Sequence, residues 1–196
     1  MSNADSGAVP VLNVANVLTV VRIILVPFFI WFLLADAGDG GMFRWLAVAT
    51  FAVAIYTDKL DGDLARSRGL ITNFGKIADP IADKLLIGSA LILLSVLGEL
   101  WWWVTLVILV RELGITLLRF AVIRYGVMPA SRGGKLKTVV QTLAIFLYLV
   151  QAALGGWAQW PAIVAMMAAV VITVVTGVDY VLQAIRLRRS ARNPLP

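Results

Sequence analysis

Apolar residues run through this chain in six long stretches, which short polar segments separate. Each stretch is about 20 residues long, and a helix of that length can cross the hydrocarbon core of a bilayer. The pattern therefore predicts an all-α polytopic membrane protein with six transmembrane helices. The approximate spans are 14–34, 43–65, 77–97, 100–123, 136–154 and 161–181. Because no internal repeat, long linker or low-complexity tract interrupts them, we expect residues 1–196 to form a single domain.

Composition supports a membrane location and narrows the possible chemistry. Hydrophobic residues make up 61% of the chain and charged residues only 14%, which is too apolar for a soluble domain of this size. The chain contains neither Cys nor His. Disulfides, a thiolate nucleophile and the usual neutral-pH base are therefore excluded, so acid–base chemistry falls to carboxylates, Lys or Tyr.

The distribution of Lys and Arg predicts the orientation. Six spans place both termini on one side, and nearly every basic residue lies in or towards that half, with Arg44 on the other side and Arg111 deep in the fourth span. The positive-inside rule makes the basic side cytoplasmic, and six Trp residues mark the opposite boundary. The net charge of +6 is accordingly attributed to cytoplasmic loops and anionic headgroups, with no nucleic-acid partner expected. We expect a polar cavity at the cytoplasmic side.

Four aspartates form the clearest candidate site. Asp58 and Asp61 are three residues apart on one predicted helix, and Asp79 and Asp83 are four apart on the next, so each pair shares a helix face. Four carboxylates that face each other across a short turn repel one another unless cations sit between them. The pattern therefore predicts a site for hard divalent metal ions. Asp63 points to the opposite face and is left out. The alternative, charges that merely end two membrane helices, is disfavoured because such charges are usually basic.

Polar residues in the first span point towards the same cavity. Asn16, Thr19 and Arg22 recur every three residues and share one face of an otherwise apolar helix. We interpret this face as a contact for nucleotide or phosphate. The alternative for Arg22 is that its side chain only snorkels to the membrane surface.

Further positions around the aspartates have separate physical roles. Gly62 lets a flat base or a sugar approach the backbone, or else it packs against a neighbouring helix. Arg66, one helical turn later, could donate paired hydrogen bonds to a diphosphate. Gly75 is expected to let the chain turn before the third helix, and Pro80 is expected in the first turn of that helix.

The second half of the chain offers candidate residues for a second substrate. Arg111 and Arg119 lie in the fourth span, where Glu112 and Arg119 are seven apart and nearly on one face. These residues either contact the substrate or form an internal ion pair that holds helices in register.

A basic stretch precedes the fifth span. It places Arg132, Lys135 and Lys137 at the cytoplasmic entrance of this span, with Thr138 and Gln141 just inside. Such a convergence suits an acceptor that carries a phosphate. The alternative is a plain patch that contacts the membrane surface.

The aspartates belong to a longer pattern with fixed spacing, which resembles the signature of the CDP-alcohol phosphatidyltransferases. The eight matching positions are Asp58, Asp61, Gly62, Ala65, Arg66, Gly75, Asp79 and Asp83. By this resemblance the four aspartates hold two divalent cations, Mg²⁺ or Mn²⁺, which bind the diphosphate of a CDP-linked lipid. The resemblance also makes Asp83 the base for the acceptor alcohol and places Gly62, Ala65 and Arg66 in the nucleotide pocket.

Three further segments narrow the resemblance within that family. The segments DPIADK, RELGITLLR and GGKLKT, together with Asn-x-x-Thr-x-x-Arg at residues 16–22, are similar to bacterial members that join CDP-diacylglycerol to sn-glycerol 3-phosphate. The similarity covers residues from about 13 to 141, and Asp63 is its one noticeable departure. It implies phosphatidylglycerophosphate and CMP as products, a homodimer, and a location in the bacterial inner membrane.

Two alternatives remain open at the level of sequence. A sister transferase would use another acceptor, such as phosphatidylglycerol in cardiolipin synthesis or inositol phosphate. A divalent-cation channel or transporter would also place acids in a membrane, but its acids should be distributed through the spans. The sixth span contains no motif that assigns it a role.

Overall fold

The computed structural model describes residues 13–67, 69, 72–123 and 132–192, without the side chains of Arg66, Lys76, Arg132 and residues 189–192. These residues form six α-helices and one short 3-10 turn, with no strand among them. The helices are α1 (Val14–Asp36), α2 (Met42–Ser67), α3 (Asn73–Val96), α4 (Trp102–Val122), α5 (Arg132–Leu154) and α6 (Gln159–Arg192). The 3-10 turn, Gly156–Ala158, precedes α6. The all-α prediction is confirmed, with one helix for each predicted span.

The start of α3 differs from the prediction. The helix begins at Asn73, so Gly75 lies inside its first turn and Pro80 lies in its interior. The expectation that Gly75 precedes the helix and that Pro80 occupies the first turn was therefore wrong. The apolar stretch in the sequence begins only at Ile77, one turn after the helix itself begins. The first turn of α3 is stabilised by a side-chain hydrogen bond from the cap residue, and a hydropathy pattern does not show such a bond.

Among the described residues, three helical stretches are long and apolar enough to cross a membrane by length and composition. They are Val14–Asp36, which is α1, Gly133–Leu154 of α5, and Gly156–Arg188, which contains the 3-10 turn and most of α6. The helices α2, α3 and α4 have similar lengths but carry the charged residues of the candidate sites. Large apolar side chains such as Trp31, Leu106 and Val164 are exposed on the outer faces of the helices. This outward apolar surface is what a lipid environment requires of a membrane protein.

By its contacts the chain divides into two compact units, Met1–Leu93 and Leu94–Pro196. In the first unit α1 packs on α2, and the rings of Phe29 and Phe51 lie 5.7 Å apart at their centroids. At the turn between these helices, Arg44 Nε donates to Asp36 Oδ2 at 2.9 Å, and both side chains are buried. Arg44, the exception to the predicted charge asymmetry, is therefore an internal, neutralised charge.

In the second unit α6 packs against both α4 and α5. The buried apolar side chains of the second unit include Ile108 of α4, Ile145 and Leu149 of α5, and Met166 of α6. The hydroxyls of Ser95 and Thr105 form a hydrogen bond at 2.7 Å near the start of α4. The unit thus has an apolar core of its own, and polar side chains within it require a specific partner.

Candidate functional site

The polar face of α1 is buried within the first unit. Asn16, Thr19 and Arg22 are each at most 5% exposed, and Arg22 has no exposed surface at all. The alternative in which Arg22 snorkels to the membrane surface is therefore wrong. The three side chains lie on one face, as their spacing predicts, and each reaches a residue of α2, of α3 or of the turn before α3.

Three of the four aspartates meet this face. The guanidinium of Arg22 forms ion pairs with Asp58, at 2.5 Å between Nη1 and Oδ1, and with Asp61. Thr19 Oγ1 donates to Asp79 Oδ1 at 2.5 Å and lies 3.4 Å from Asp61 Oδ2. Asp61 is almost completely buried, whereas Asp58 keeps nearly half of its side chain exposed. The first unit therefore gathers acids from two helices around one hydroxyl and one guanidinium.

Asp83 lies one turn beyond Asp79 on α3 and is partly exposed. Within the described part of the chain, no group of three or more acidic side chains stands close enough together to hold a metal ion. Arg22 supplies the positive charge between Asp58 and Asp61 in this arrangement. The donors are nevertheless carboxylate oxygens, the ligands that Mg²⁺ and Mn²⁺ prefer, so by its chemistry the set fits such cations.

Thr72 is a site residue that the sequence analysis missed. Its hydroxyl accepts a hydrogen bond from the Gly75 backbone N–H at 3.0 Å and donates to Asn16 Oδ1 at 2.9 Å. The first of these bonds is the standard N-terminal cap of a helix, here α3. A Cβ atom at Gly75 would lie 3.0 Å from Asn16 Oδ1 and 3.6 Å from Asp79 Oδ2. Gly75 therefore allows α3 to approach α1 closely. The sequence signal for the cap was a Thr three residues before Gly75.

The remaining residues of the signature lie on α2. Gly62 and Ala65 are half-buried, and the side chain of Arg66 lies outside the described part of the structure. Asp63 is exposed while Asp61 is buried, which agrees with their predicted placement on different faces. The predicted nucleotide contacts thus remain predictions, placed on the same helix as two of the aspartates.

In the second unit, a carboxylate joins two basic residues. Glu112 Oε1 pairs with Lys137 of α5, and it lies 3.3 Å from Arg111 Nη1. Lys137 is only 5% exposed, so its ammonium group needs this partner. The ion pair considered from sequence, between Glu112 and Arg119, is replaced by these contacts. Glu112 does hold helices together, but it joins α4 to α5.

Arg119 and Arg111 also reach α6. Arg119 Nη2 donates to Tyr180 Oη at 3.0 Å, and Arg111 Nη2 donates to Thr176 Oγ1 at 2.9 Å. Sequence analysis assigned no role to this helix. The available signal was the spacing of Thr176 and Tyr180, which are four apart on an apolar helix and hence on one face.

The other candidates for the acceptor site differ in exposure. Lys135 is exposed, and Arg132 lies where no side chain is described. Gln141, one turn after Lys137, is only 3% exposed, and its Oε1 has no hydrogen-bond partner among the described residues. Lys137 and Gln141 share one face of α5, because they are four residues apart.

The chain matches one protein family and is similar to several named bacterial proteins. Residues 12–177 match the family model described as CDP-alcohol phosphatidyltransferase, a range that covers most of each unit. A probable phosphatidylglycerophosphate synthase of Mycobacterium tuberculosis is 54% identical, over 92% of this chain and 86% of its own length. CDP-diacylglycerol–glycerol-3-phosphate 3-phosphatidyltransferases of Bacillus subtilis and Rickettsia felis are 38% and 35% identical, each over 86% of this chain and 93% of its own length.

Proposed function

Because the chain belongs to the CDP-alcohol phosphatidyltransferase family, and is therefore a transferase rather than a cation transporter, we propose that it acts on CDP-diacylglycerol. The proposed reaction transfers the phosphatidyl group to sn-glycerol 3-phosphate and gives phosphatidylglycerophosphate and CMP. The names of the relatives from Bacillus subtilis and Rickettsia felis support this choice of both substrates.

The convergence of Asp58, Asp61 and Asp79 on Thr19 and Arg22 is the observation that carries the proposal. Three acids around one threonine and one buried arginine are costly for a membrane protein to maintain as structure alone, because each buried charge is costly. A diphosphate that is bound through cations does need such acids, since the cations require anionic ligands and the diphosphate repels carboxylates.

We propose that two divalent cations, Mg²⁺ or Mn²⁺, are held by Asp58, Asp61, Asp79 and Asp83. When bound, these cations neutralise the negative charge of the diphosphate and of the departing CMP. We assign to the guanidinium of Arg22, which pairs with Asp58 and Asp61, a hydrogen bond to a phosphate oxygen of the substrate.

Asp83 is the proposed base. It takes the proton of the acceptor hydroxyl, the oxygen forms a bond to the lipid-side phosphorus, and the bond from that phosphorus to CMP breaks. A carboxylate one helical turn from Asp79 is suitably placed for this role. Gly62, Ala65 and Arg66 are proposed to line the nucleotide pocket, together with Asn16.

The acceptor phosphate is proposed to bind the basic residues of the second unit. Among the described side chains, Arg111 and Lys137 share the carboxylate of Glu112, and Arg119 is held by the neutral Tyr180, so this described set carries excess positive charge. Arg132 and Lys135 add to it from the start of α5. A phosphate dianion would balance this excess through charge-assisted hydrogen bonds.

The remaining expectations concern the cellular setting. We propose that the protein lies in the bacterial inner membrane as a homodimer, with its active site facing the cytoplasm. The asymmetric distribution of Lys and Arg supports this orientation. The family match extends across both units, which supports one catalytic domain.

The direct test offers the purified protein CDP-diacylglycerol, Mg²⁺ or Mn²⁺ and one acceptor at a time. We expect phosphatidylglycerophosphate and CMP with glycerol 3-phosphate, and no lipid product in the presence of a chelator. Phosphatidylglycerol and inositol phosphate serve as competing acceptors. A new lipid formed only from one of these two would overturn the assigned acceptor and leave the family assignment in place.

A further inference from the structure

Three residues of α6, Thr176, Gly177 and Tyr180, lie against the two arginines of α4, and we refer to them as the α6 seat. Thr176 accepts a hydrogen bond from Arg111, and Tyr180 accepts one from Arg119. The guanidinium carbons of Arg111 and Arg119 lie 5.6 Å and 5.0 Å from the centroid of the Tyr180 ring. Both distances are within the range of a cation–π interaction, so one ring contacts two cations.

Gly177 makes the approach of Arg111 possible. A Cβ atom at this position would lie 3.3 Å from Arg111 Cγ and 3.8 Å from its Nε. The side chain of Arg111 therefore crosses α6 where that helix has no side chain of its own. Gly114, which faces the same groove from α4, has nothing within 4 Å of a corresponding Cβ atom.

The α6 seat differs from an ordinary structural ion pair in the groups that contact the arginines. Hydroxyl groups and an aromatic face fix the guanidinium groups, but they do not neutralise them as Asp or Glu would. The one carboxylate described in this cluster, Glu112, also pairs with Lys137. Both arginines are thereby held in place while their positive charge stays available to an anion.

Holding an arginine has a direct effect on affinity. A free arginine side chain loses rotamer entropy when it binds a ligand, which weakens binding, and a side chain that is already fixed avoids most of this loss. We propose that Thr176, Gly177 and Tyr180 are positioning residues that pre-orient Arg111 and Arg119 for the phosphate of the acceptor. This inference rests on the proposed function, since it requires a phosphorylated acceptor.

The first test removes single hydroxyl groups from the full-length protein. Thr176→Val and Tyr180→Phe keep the shape of each side chain, and we expect each to raise the KM for glycerol 3-phosphate by roughly three- to tenfold, the usual net effect of one hydrogen bond, because the lost bond positions the arginine and does not itself contact the ligand. The KM for CDP-diacylglycerol should change less than about twofold, because the first unit is untouched.

Two control variants remove hydroxyls of similar burial for which the described structure shows no hydrogen bond to either arginine. Thr173 has no exposed surface and its Oγ1 lacks a partner among the described residues, and Tyr148 is 2% exposed, as Tyr180 is. Thr173→Val and Tyr148→Phe should leave both KM values within about twofold of the wild type. Equal KM values for the α6 seat variants and their controls would overturn the inference.

A second pair of variants changes the space around Arg111. Gly177→Ala and Gly114→Ala raise helix propensity equally, but only the former pushes on Arg111. We expect Gly177→Ala to raise the KM for glycerol 3-phosphate by about threefold relative to Gly114→Ala. Identical values would contradict a positioning role. Failure of the proposed function is distinguishable, because the wild type would then release no CMP with this acceptor and the inference would fall with it.

Discussion

The two units of this protein contain charge clusters of opposite composition. In the first unit, Asp58 and Asp61 share one arginine, Arg22, and Asp79 lies beside them at Thr19. In the second unit, two basic residues share one acid, Glu112, and Arg119 contacts an aromatic ring and its hydroxyl. Acids are therefore in excess in one cluster, and bases are in excess in the other.

The difference indicates what each cluster can bind. A cluster with excess acid lowers its free energy by binding cations, and one with excess base does so by binding an anion. The proposed reaction requires both kinds of binding. Metal ions are needed at the diphosphate of one substrate, and a basic site is needed for the phosphate of the acceptor. Among the described side chains, each cluster also contains a group of the opposite sign, Arg22 or Glu112, which offsets part of the excess charge.

The largest expected effect comes from removing an acid of the first cluster. We expect Asp61→Asn to lower the turnover number by about a thousandfold, because a metal ligand is lost where charge develops in the transition state. Release of CMP from CDP-diacylglycerol is the measurement. Asp63→Asn is the matched control, since Asp63 is two residues away and exposed, and it should keep activity within about twofold.

This pair of variants separates the effect of a carboxylate at the proposed metal site from the effect of any carboxylate on α2. If Asp63→Asn were as inactive as Asp61→Asn, the general acidity of α2 would be responsible and the metal-ligand assignment would be wrong.

The next effect concerns Arg22, which pairs with two of the acids. Arg22→Met removes a buried guanidinium from its ion pairs with Asp58 and Asp61, so it should lower the free energy of unfolding by about 3 kcal/mol, or roughly 10 °C in Tm. A ligand that binds only the folded state stabilises that state. Mn²⁺ should therefore raise the Tm of Arg22→Met, and it should raise it by more than it raises the Tm of the wild type. Thermal unfolding in detergent, with and without Mn²⁺, measures both quantities.

Arg44→Met provides the control for that experiment. It breaks a buried ion pair of the same unit, with Asp36, at a turn that has no proposed metal. A similar loss of stability is expected, but Mn²⁺ should raise the Tm of this variant only as much as that of the wild type. Equal recovery of the two variants would show that the metal acts elsewhere.

Sequence alone predicted the type of the helices and most of their approximate bounds, because long apolar stretches have few alternatives in a bilayer. The exception is α6, which continues to Arg192, beyond the predicted end of the span at residue 181. It also predicted the common face of Asn16, Thr19 and Arg22, which follows from helical geometry. The start of α3 was missed, since the apolar pattern begins only at Ile77 whereas the helix begins at Asn73. The cap bond between Thr72 and the Gly75 N–H is local, but the contact of Thr72 with Asn16 joins residues far apart in the chain, and periodicity contains no information about it.

The second cluster was less predictable for the same reason. The basic residues were visible in the sequence, but their partners were not, and Glu112 was considered with Arg119 although it pairs with Lys137. Tyr180 and Thr176 lie on a helix without a recognisable motif. Their roles depend on the packing of α6 against α4, which only the structure provides.

The smallest expected effects distinguish two lysines of α5. Lys137 is buried and paired with Glu112, whereas Lys135 is exposed. Lys137→Met should raise the KM for glycerol 3-phosphate by about tenfold, because a buried charge-assisted contact is lost. Lys135→Met should raise the KM for glycerol 3-phosphate by no more than about threefold. Salt at about 0.5 M should abolish this difference between Lys135→Met and the wild type, since exposed charges are screened. If Lys135→Met had the larger effect at every salt concentration, the acceptor phosphate would bind at the exposed entrance of α5 and not at the buried cluster.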